Sequence, residues 1–470
     1  MNGAACPGKR LYCIFIRYSL TILHMSKIFL LLACLAGMPW VMAQKGSEPA
    51  GVGKPSLIRG SLGDSALLDL VQRQTFRYFW DFADPVSGMA RERSNTEDYG
   101  NEVCATGGTG FGVMAIIVAV NRGWIARDTA VRRLLKLVKF LEKAPKYHGI
   151  FPHWINGETG ATIPFSSKDD GGDVVETSYL LEGLLCARAY FTGMDAPERE
   201  LRNRITWMWN DVEYDWQTRG GISVLYWHWS PNNGWAMNAE IRGWDECLIT
   251  YVLAASSPEH SIAPDVYHRG WAVNNSFFNG KKFYGYRLPL GPDFGGPLFF
   301  AHYSFLGLDP HGLKDRYADY WEQNEDHTLI NRAYCVDNPR QYKGYGADCW
   351  GLTASDDYRG YDAHSPTNDD GVISPTAALS SFPYTPAYSM EALKHFYFDL
   401  GNKIWGPYGF TDAFCEARNW YANSYLAIDE GPVVDMIENY RTGLLWKLFM
   451  NIPEIQTGLK RLGFDSPYLK

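Results

Sequence analysis

The chain is read as an all-α protein whose helices pair into two concentric rings, with long loops at one end of the ring forming a bowl. Three observations predict this. Apolar residues recur at three- and four-residue steps over many segments. The stretches between them are long and crowded with Gly, Pro, Asn, Asp and aromatic residues. No alternation of strand and helix runs far enough for a parallel sheet, and no exact internal repeat argues for or against a ring.

Residues 1–43 read as an export signal: Lys27 precedes the apolar run 28–37, and Val41-Met42-Ala43 offers a cleavage site before Gln44. Gly37 and Pro39 break that run well short of the roughly 20 apolar residues a membrane-spanning helix needs. Leu31-Leu32-Ala33-Cys34 has the form of a lipidation box, so a lipid anchor at Cys34 is the rival to free release into the periplasm. Residues 44–61 are polar and contain Gly and Pro, as in a linker, and 62–470 form one domain. Helices are expected at 65–80, capped by Asp64, and at 111–121, 128–143, 173–191, 198–210, 239–255, 263–273, 388–400 and 431–450. Strand-like pieces stand at 222–226 and 282–287, and the longest loops at 92–109, 148–172, 280–299 and 344–386.

A length of 470 residues, 46% of them hydrophobic, is enough to bury a large core. A net charge of -8 with scattered Lys and Arg argues against nucleic acid and membrane surfaces as partners. Cys104, Cys186, Cys247, Cys335, Cys349 and Cys415 read best as buried thiols, with Cys335–Cys349 the one pair to test for a bridge. No Cys or His spacing fits a zinc site.

The most informative stretch is Phe165-Ser-Ser-Lys-Asp-Asp-Gly-Gly-Asp-Val-Val-Glu, which puts Asp169, Asp170, Asp173 and Glu176 at the mouth of an apolar helix. Asp173 and Glu176 could simply form a capping box. Capping needs at most two of the four acids, and Gly171 and Gly172 let the backbone approach whatever binds there. The second acidic centre is Arg242-Gly243-Trp244-Asp245-Glu246-Cys247, entering a strongly apolar helix, where Trp244 could stack on a sugar or plug the core. Two separated carboxylate centres are what acid-catalysed glycoside hydrolysis requires. Trp, Tyr and Phe number 17, 29 and 24, and many stand in loops beside Asp, Asn, Arg and His, as in a sugar-binding surface. The glycine run 107–112 lacks the Lys-Ser or Lys-Thr of a phosphate loop, and Asn368-Asp369-Asp370-Gly371 lacks the spaced ligands of a calcium loop and reads as a solvated turn.

These residues resemble a bacterial glucoamylase-like family grouped as family 144 of the glycoside hydrolases, which includes β-1,2-glucanases. The resemblance covers nearly all of 62–470 and is carried by 165–173, 244–257, 295–310, 373–386 and 437–446. It implies an (α/α)6 barrel as a single catalytic domain, and hydrolysis with inversion without metal or organic cofactor. The implied products are short β-1,2-linked gluco-oligosaccharides such as sophorose. Carried over residue by residue, the essential acids fall on Asp169, Asp173, Glu176 and Glu246. Asp245 departs from the family, which more often has an amide there, and Asp435 stands where relatives are more often apolar.

The expectation is therefore an exported, monomeric β-glucan hydrolase with Glu246 as proton donor and Asp169, Asp173 and Glu176 organising the water or the donor's partner. Sugar contacts are expected from Arg93, Trp154, Lys168, Trp244, His302, Tyr384 and Asp429. The rivals are a glucoamylase-type α-glucan hydrolase and a noncatalytic exported glycan-binding protein.

Overall fold

The computed structural model describes residues 62–95, 100–273 and 276–469; the expected signal segment, Cys34 and the linker lie outside the described residues. In chain order the principal helices are α1 (Asp64–Asp81), α2 (Thr106–Asn121), α3 (Arg127–Leu141), α4 (Val174–Tyr190), α5 (Ala196–Asn210), α6 (Leu248–Ser256), α7 (Tyr320–Asp337), α8 (Pro375–Ser380), α9 (Pro386–Lys394), α10 (Ala427–Thr442), α11 (Leu444–Met450) and α12 (Pro453–Arg461).

Two layers follow from two kinds of sequence. In α2, α4, α6 and α10 almost every side chain of the N-terminal part is buried, as suits helices with neighbours all round. By contrast α3 buries one stripe, Ala130, Val131, Leu134, Leu135, Leu137, Val138 and Leu141, as suits an outer helix. The inner ring runs from α8 to α10, α2, α4 and α6, and then to the 3₁₀ turns Leu298–Ala301 and Tyr303–Phe305 in the sixth position. Around it α1 covers α2 and α10, α5 covers α4, α12 covers α6, α7 covers the first 3₁₀ turn and α9 covers α8. The ring closes where Tyr384 Oη donates to the Ala301 carbonyl at 2.9 Å and His302 Nε2 lies 3.0 Å from Ser381 Oγ. This is the expected (α/α)6 toroid, with one inner helix reduced to two short turns.

The glycine run makes a close helix crossing between α2 and α4. A Cβ at Gly110 would lie 2.1 Å from the Tyr179 carbonyl oxygen, and one at Gly183 would lie 2.0 Å from the Gly110 carbonyl oxygen. α2 therefore begins at Thr106, five residues before the expected start, because these glycines are helix interior selected for close approach.

Other boundaries differ for local reasons. Gly63, not Asp64, is the N-cap of α1. Residues 239–247 are irregular, with Gly243 at φ 97°, and Glu246 therefore precedes α6 instead of riding on it. Gly443 at φ 64° splits the expected 431–450 helix into α10 and α11. The hairpin at 282–287 forms as Lys282–Phe283 and Tyr286–Arg287, whereas 222–226 forms no strand. Cys335 and Cys349 are both free, and the six cysteines among the described residues are all buried.

Candidate active site

The inner helices bring acidic side chains together at their N-terminal ends, where unpaired N–H groups and the helix dipole favour negative charge. Asp173 is the N-cap of α4, its Oδ1 accepting from the Val175 and Glu176 amides at 2.9 Å each. The capping box is only half made. Glu176 does not return to the Asp173 amide, which donates to the Phe151 carbonyl; its Oε2 accepts from the Gly107 amide at 2.6 Å, at the start of α2. A Cβ at Gly107 would sit 2.7 Å from that carboxylate oxygen, so only glycine admits the contact.

His153 joins the two acids: Nδ1 lies 2.9 Å from Asp173 Oδ2 and Nε2 lies 4.0 Å from Glu176 Oε1. Burial alone would lower the imidazole, but Glu176, Asp173 and Asp169 outweigh it and raise its pKa to about 10. Burial raises Glu176 to about 7, with His153 opposing and Asp173 adding to the rise. Asp169 lies close by, 3.0 Å from His228 Nε2. Asp170 serves the loop instead. Ser230 Oγ, Asn232 Nδ2 and Asn233 Nδ2 all donate to it, which ties 165–173 to the 230–233 turn.

Glu246 sits just ahead of α6. The Ser304 hydroxyl donates to its backbone carbonyl, while the Ile249 amide donates to Ser304 Oγ at 3.0 Å. Burial, then the charge of Asp245, then those of Asp173 and Glu176 hold its carboxyl well above the usual range. Burial raises Asp245 to about 6, and its Oδ1 accepts from the Cys247 amide at 2.9 Å.

A third acidic set adjoins the first. Arg93 Nε lies 2.9 Å from Glu92 and its Nη1 donates to Asp356 at 3.1 and 3.2 Å. The Asp356 amide donates to Asp412 Oδ2 at 2.7 Å. Burial, then the charges of Asp429 and Asp356, hold Asp412 well above the usual carboxylate range, and burial raises Asp429 to about 8, with its contact to Asp412 opposing and Glu430 and Asp356 adding to the rise. Tyr303 Oη donates to Asp429 Oδ1 at 3.3 Å, which links this set to the inner ring.

Sequence and fold comparisons converge on one group of proteins. The glycoamylase family model matches residues 238–453. An endo-β-1,2-glucanase from Chitinophaga pinensis, solved with sophorotriose and glucose, is 56% identical; the match covers 87% of this chain and all of that one, with a TM-score of 0.85. The chain belongs to glycoside hydrolase family 144. A glucoamylase-like structure from Bacteroides uniformis is 60% identical, covering 88% of this chain and 100% of that one at a TM-score of 0.86. An exo-β-1,2-glucooligosaccharide sophorohydrolase (non-reducing end) of Parabacteroides distasonis is 46% identical over 85% of this chain. This chain spans 58% of the length of that curated relative.

Within this family 144 fold, Asp169, Asp173 and Glu176 stand together, and Glu246 is near enough to feel the last two. Arg93 and Asp429 belong to the adjoining set. Trp154 is half-buried against Phe165, their ring centroids 4.9 Å apart, and Lys168 is exposed on the same loop. Three expected contacts are placed otherwise. Trp244 is 1% exposed, packed among Trp271, Phe277, Phe305 and Tyr320, and so presents no open face. His302 and Tyr384 are 2% and 3% exposed and close the ring.

Sequence reasoning missed His153, His228, Glu92, Asp356, Asp412 and Tyr303. His153 lies within one of the long loops, one residue after Pro152, and that position is the only local signal it gives. Asp356 meets Arg93 across 263 residues of chain, and no local pattern marks such a pair.

Proposed function

We propose that this protein hydrolyses β-1,2-glucan or its oligosaccharides to short β-1,2-linked products, with Glu246 as general acid. The observation that carries this reading is the contrast between two neighbouring centres. The Glu246 carboxyl is pushed well above its usual range by burial and by Asp245, while Asp173 and Glu176 stand on helix N-termini beside His153, whose imidazole is raised to about 10. In an inverting reaction Glu246 protonates the glycosidic oxygen, the bond from that oxygen to the anomeric carbon breaks, and water attacks that carbon from the opposite face. A carboxylate takes the water's proton; Asp169, Asp173 and Glu176 form the set that organises that step. The substrate class rests on relatives acting on β-1,2-glucans and β-1,2-gluco-oligosaccharides.

The test is chromatography of products after incubation with β-1,2-glucan, laminarin, a β-1,4-glucan and starch, for the native protein and Glu246→Gln. Release of β-1,2-linked oligosaccharides from β-1,2-glucan alone, lost in the variant, is expected; release from starch would transfer the reading to an α-glucan hydrolase. Product lengths then separate endo from exo action. The same reading includes export to the periplasm, supported by the 28–37 apolar run behind Lys27. Sequencing the mature N-terminus is expected to begin at Gln44, and a lipid-modified Cys34 would overturn release in favour of an anchor.

A further inference from the structure

The hairpin that carries Asp356 to the acid bowl has a second set of carboxylates on both its strands and beyond. Its strands are Ala354–Asp357 and Gly360–Ala363, and its continuation folds back through a Ser365–Asn368 turn. Asp357, Asp362 and Asp370 each bring one carboxylate oxygen to within 4.8 Å of the others. Asp357 is no surface acid: it is 7% exposed. Like-charged carboxylates so placed repel, and a cation between them removes that cost.

A second, independent feature points the same way. His364 is 1% exposed, and neither ring nitrogen has a hydrogen-bond partner. The carboxylates that act on it electrostatically are Asp357, Asp362 and Asp370, in that order, followed by Asp369. Asp369 is already satisfied by the hydroxyls of Tyr334 and Tyr345 at 2.9 and 2.7 Å and by the Gly371 amide at 2.9 Å. An imidazole buried beside carboxylates with an unused N–H is suited to donate to a metal-bound carboxylate or water. Among the described residues the cation paired with these acids is Arg359, which pairs with Asp370 and lies 3.8 Å from Asp357. Its side chain is 56% exposed and brings a single charge to three carboxylates, so it can swing out to solvent.

We propose that Asp357, Asp362 and Asp370 bind a divalent cation, calcium by the hardness of the donor set, with Arg359 displaced and His364 completing the outer shell. The flanking loop already has a suitable shape. Asn368 Nδ2 donates to Asp362 Oδ1 at 3.1 Å and to the Ala363 carbonyl at 2.9 Å, which holds the turn around the three acids. The cation pins the hairpin against the 365–371 turn. Because Asp356 on that hairpin meets Arg93, the bowl wall is then fixed from outside. The solvated turn expected at 368–371 thus becomes one side of a structural metal site.

The experiment uses the full chain, stripped with chelator and dialysed, titrated with calcium chloride by calorimetry and followed by thermal unfolding. One saturable site is expected, with Tm raised by roughly 2–5 °C at about a hundred times Kd. Asp362→Asn with Asp370→Asn, both at half-buried positions, should abolish the heat and the shift. Arg359→Ala should tighten binding roughly five-fold or more, since a competing positive charge is gone. Absence of heat and shift in the native chain would overturn the proposal. Unchanged binding in the double variant would also overturn it, by placing the ion elsewhere, for instance at His153, Asp169 and Asp173. Binding of manganese or zinc without calcium would overturn the calcium assignment.

Discussion

Asp173 divides its carboxylate between two partners: Oδ1 caps α4, and Oδ2 holds His153 Nδ1 at 2.9 Å. The N-terminus of α4 and the imidazole beside Glu176 are therefore set by one side chain.

Removing the imidazole tests that arrangement. His153 opposes the burial-driven rise of Glu176, so His153→Gln should lift Glu176 further and move the acid limb of the kcat profile to higher pH. A fall in kcat of roughly 10²-fold with a smaller change in KM is expected. An acid limb that stays fixed would remove the coupling. Stability should respond with the opposite sign: the folded imidazole is raised from 6.5 to about 10, so its contribution is full below 6.5 and is lost as pH rises through about 10. The stability gap between native and variant protein, measured by urea titration, should close above that pH.

Asp245→Asn addresses the proton donor. After burial, the charge of Asp245 is the largest influence raising Glu246, so the amide should lower the Glu246 pKa. The alkaline limb of kcat/KM would then move to lower pH. A limb moving upward, or none at all, would separate Glu246 from the ionisation that limits activity.

Tyr384 offers a choice between recognition and scaffolding. Its hydroxyl donates to Ala301 and accepts from Asn324 Nδ2 at 3.2 Å, across the ring closure. Tyr384→Phe should cost about 1–2 kcal/mol of stability while leaving KM unchanged. A rise in KM at constant Tm would restore it as a sugar contact.

Gly110→Ala should be among the most damaging single-methyl changes, because the new carbon meets backbone rather than a movable side chain. A loss of roughly 2–4 kcal/mol is expected in thermal or denaturant unfolding. A variant with native Tm would show that α2 and α4 can separate.

What could be read in the sequence was local. Asp173 and Glu176 are three residues apart, and their place at a helix mouth follows from the apolar run behind them. The outer stripe of α3 and the hairpin at 282–287 were legible for the same reason. α7 was not, because its buried positions include Gln323, Asn324, His327, Thr328 and Asn331, which weaken the apolar period. Trp244, His302 and Tyr384 look like binding residues in one dimension because buried polar aromatics and loop aromatics share a composition. Only the ring closure separates them. The set around Arg93 was invisible as a set, since its members come from residues 92–93, 303, 356, 412 and 429 and share no local motif.

The buried thiols give this protein a built-in clock. Cys104, Cys186, Cys247, Cys335, Cys349 and Cys415 are spread from α2's approach to the last loop before α10, and none is reachable from solvent in the closed ring. A thiol-specific reagent therefore counts opening events, and the order in which the cysteines react, read by peptide mass, would chart which segment of the toroid breathes first.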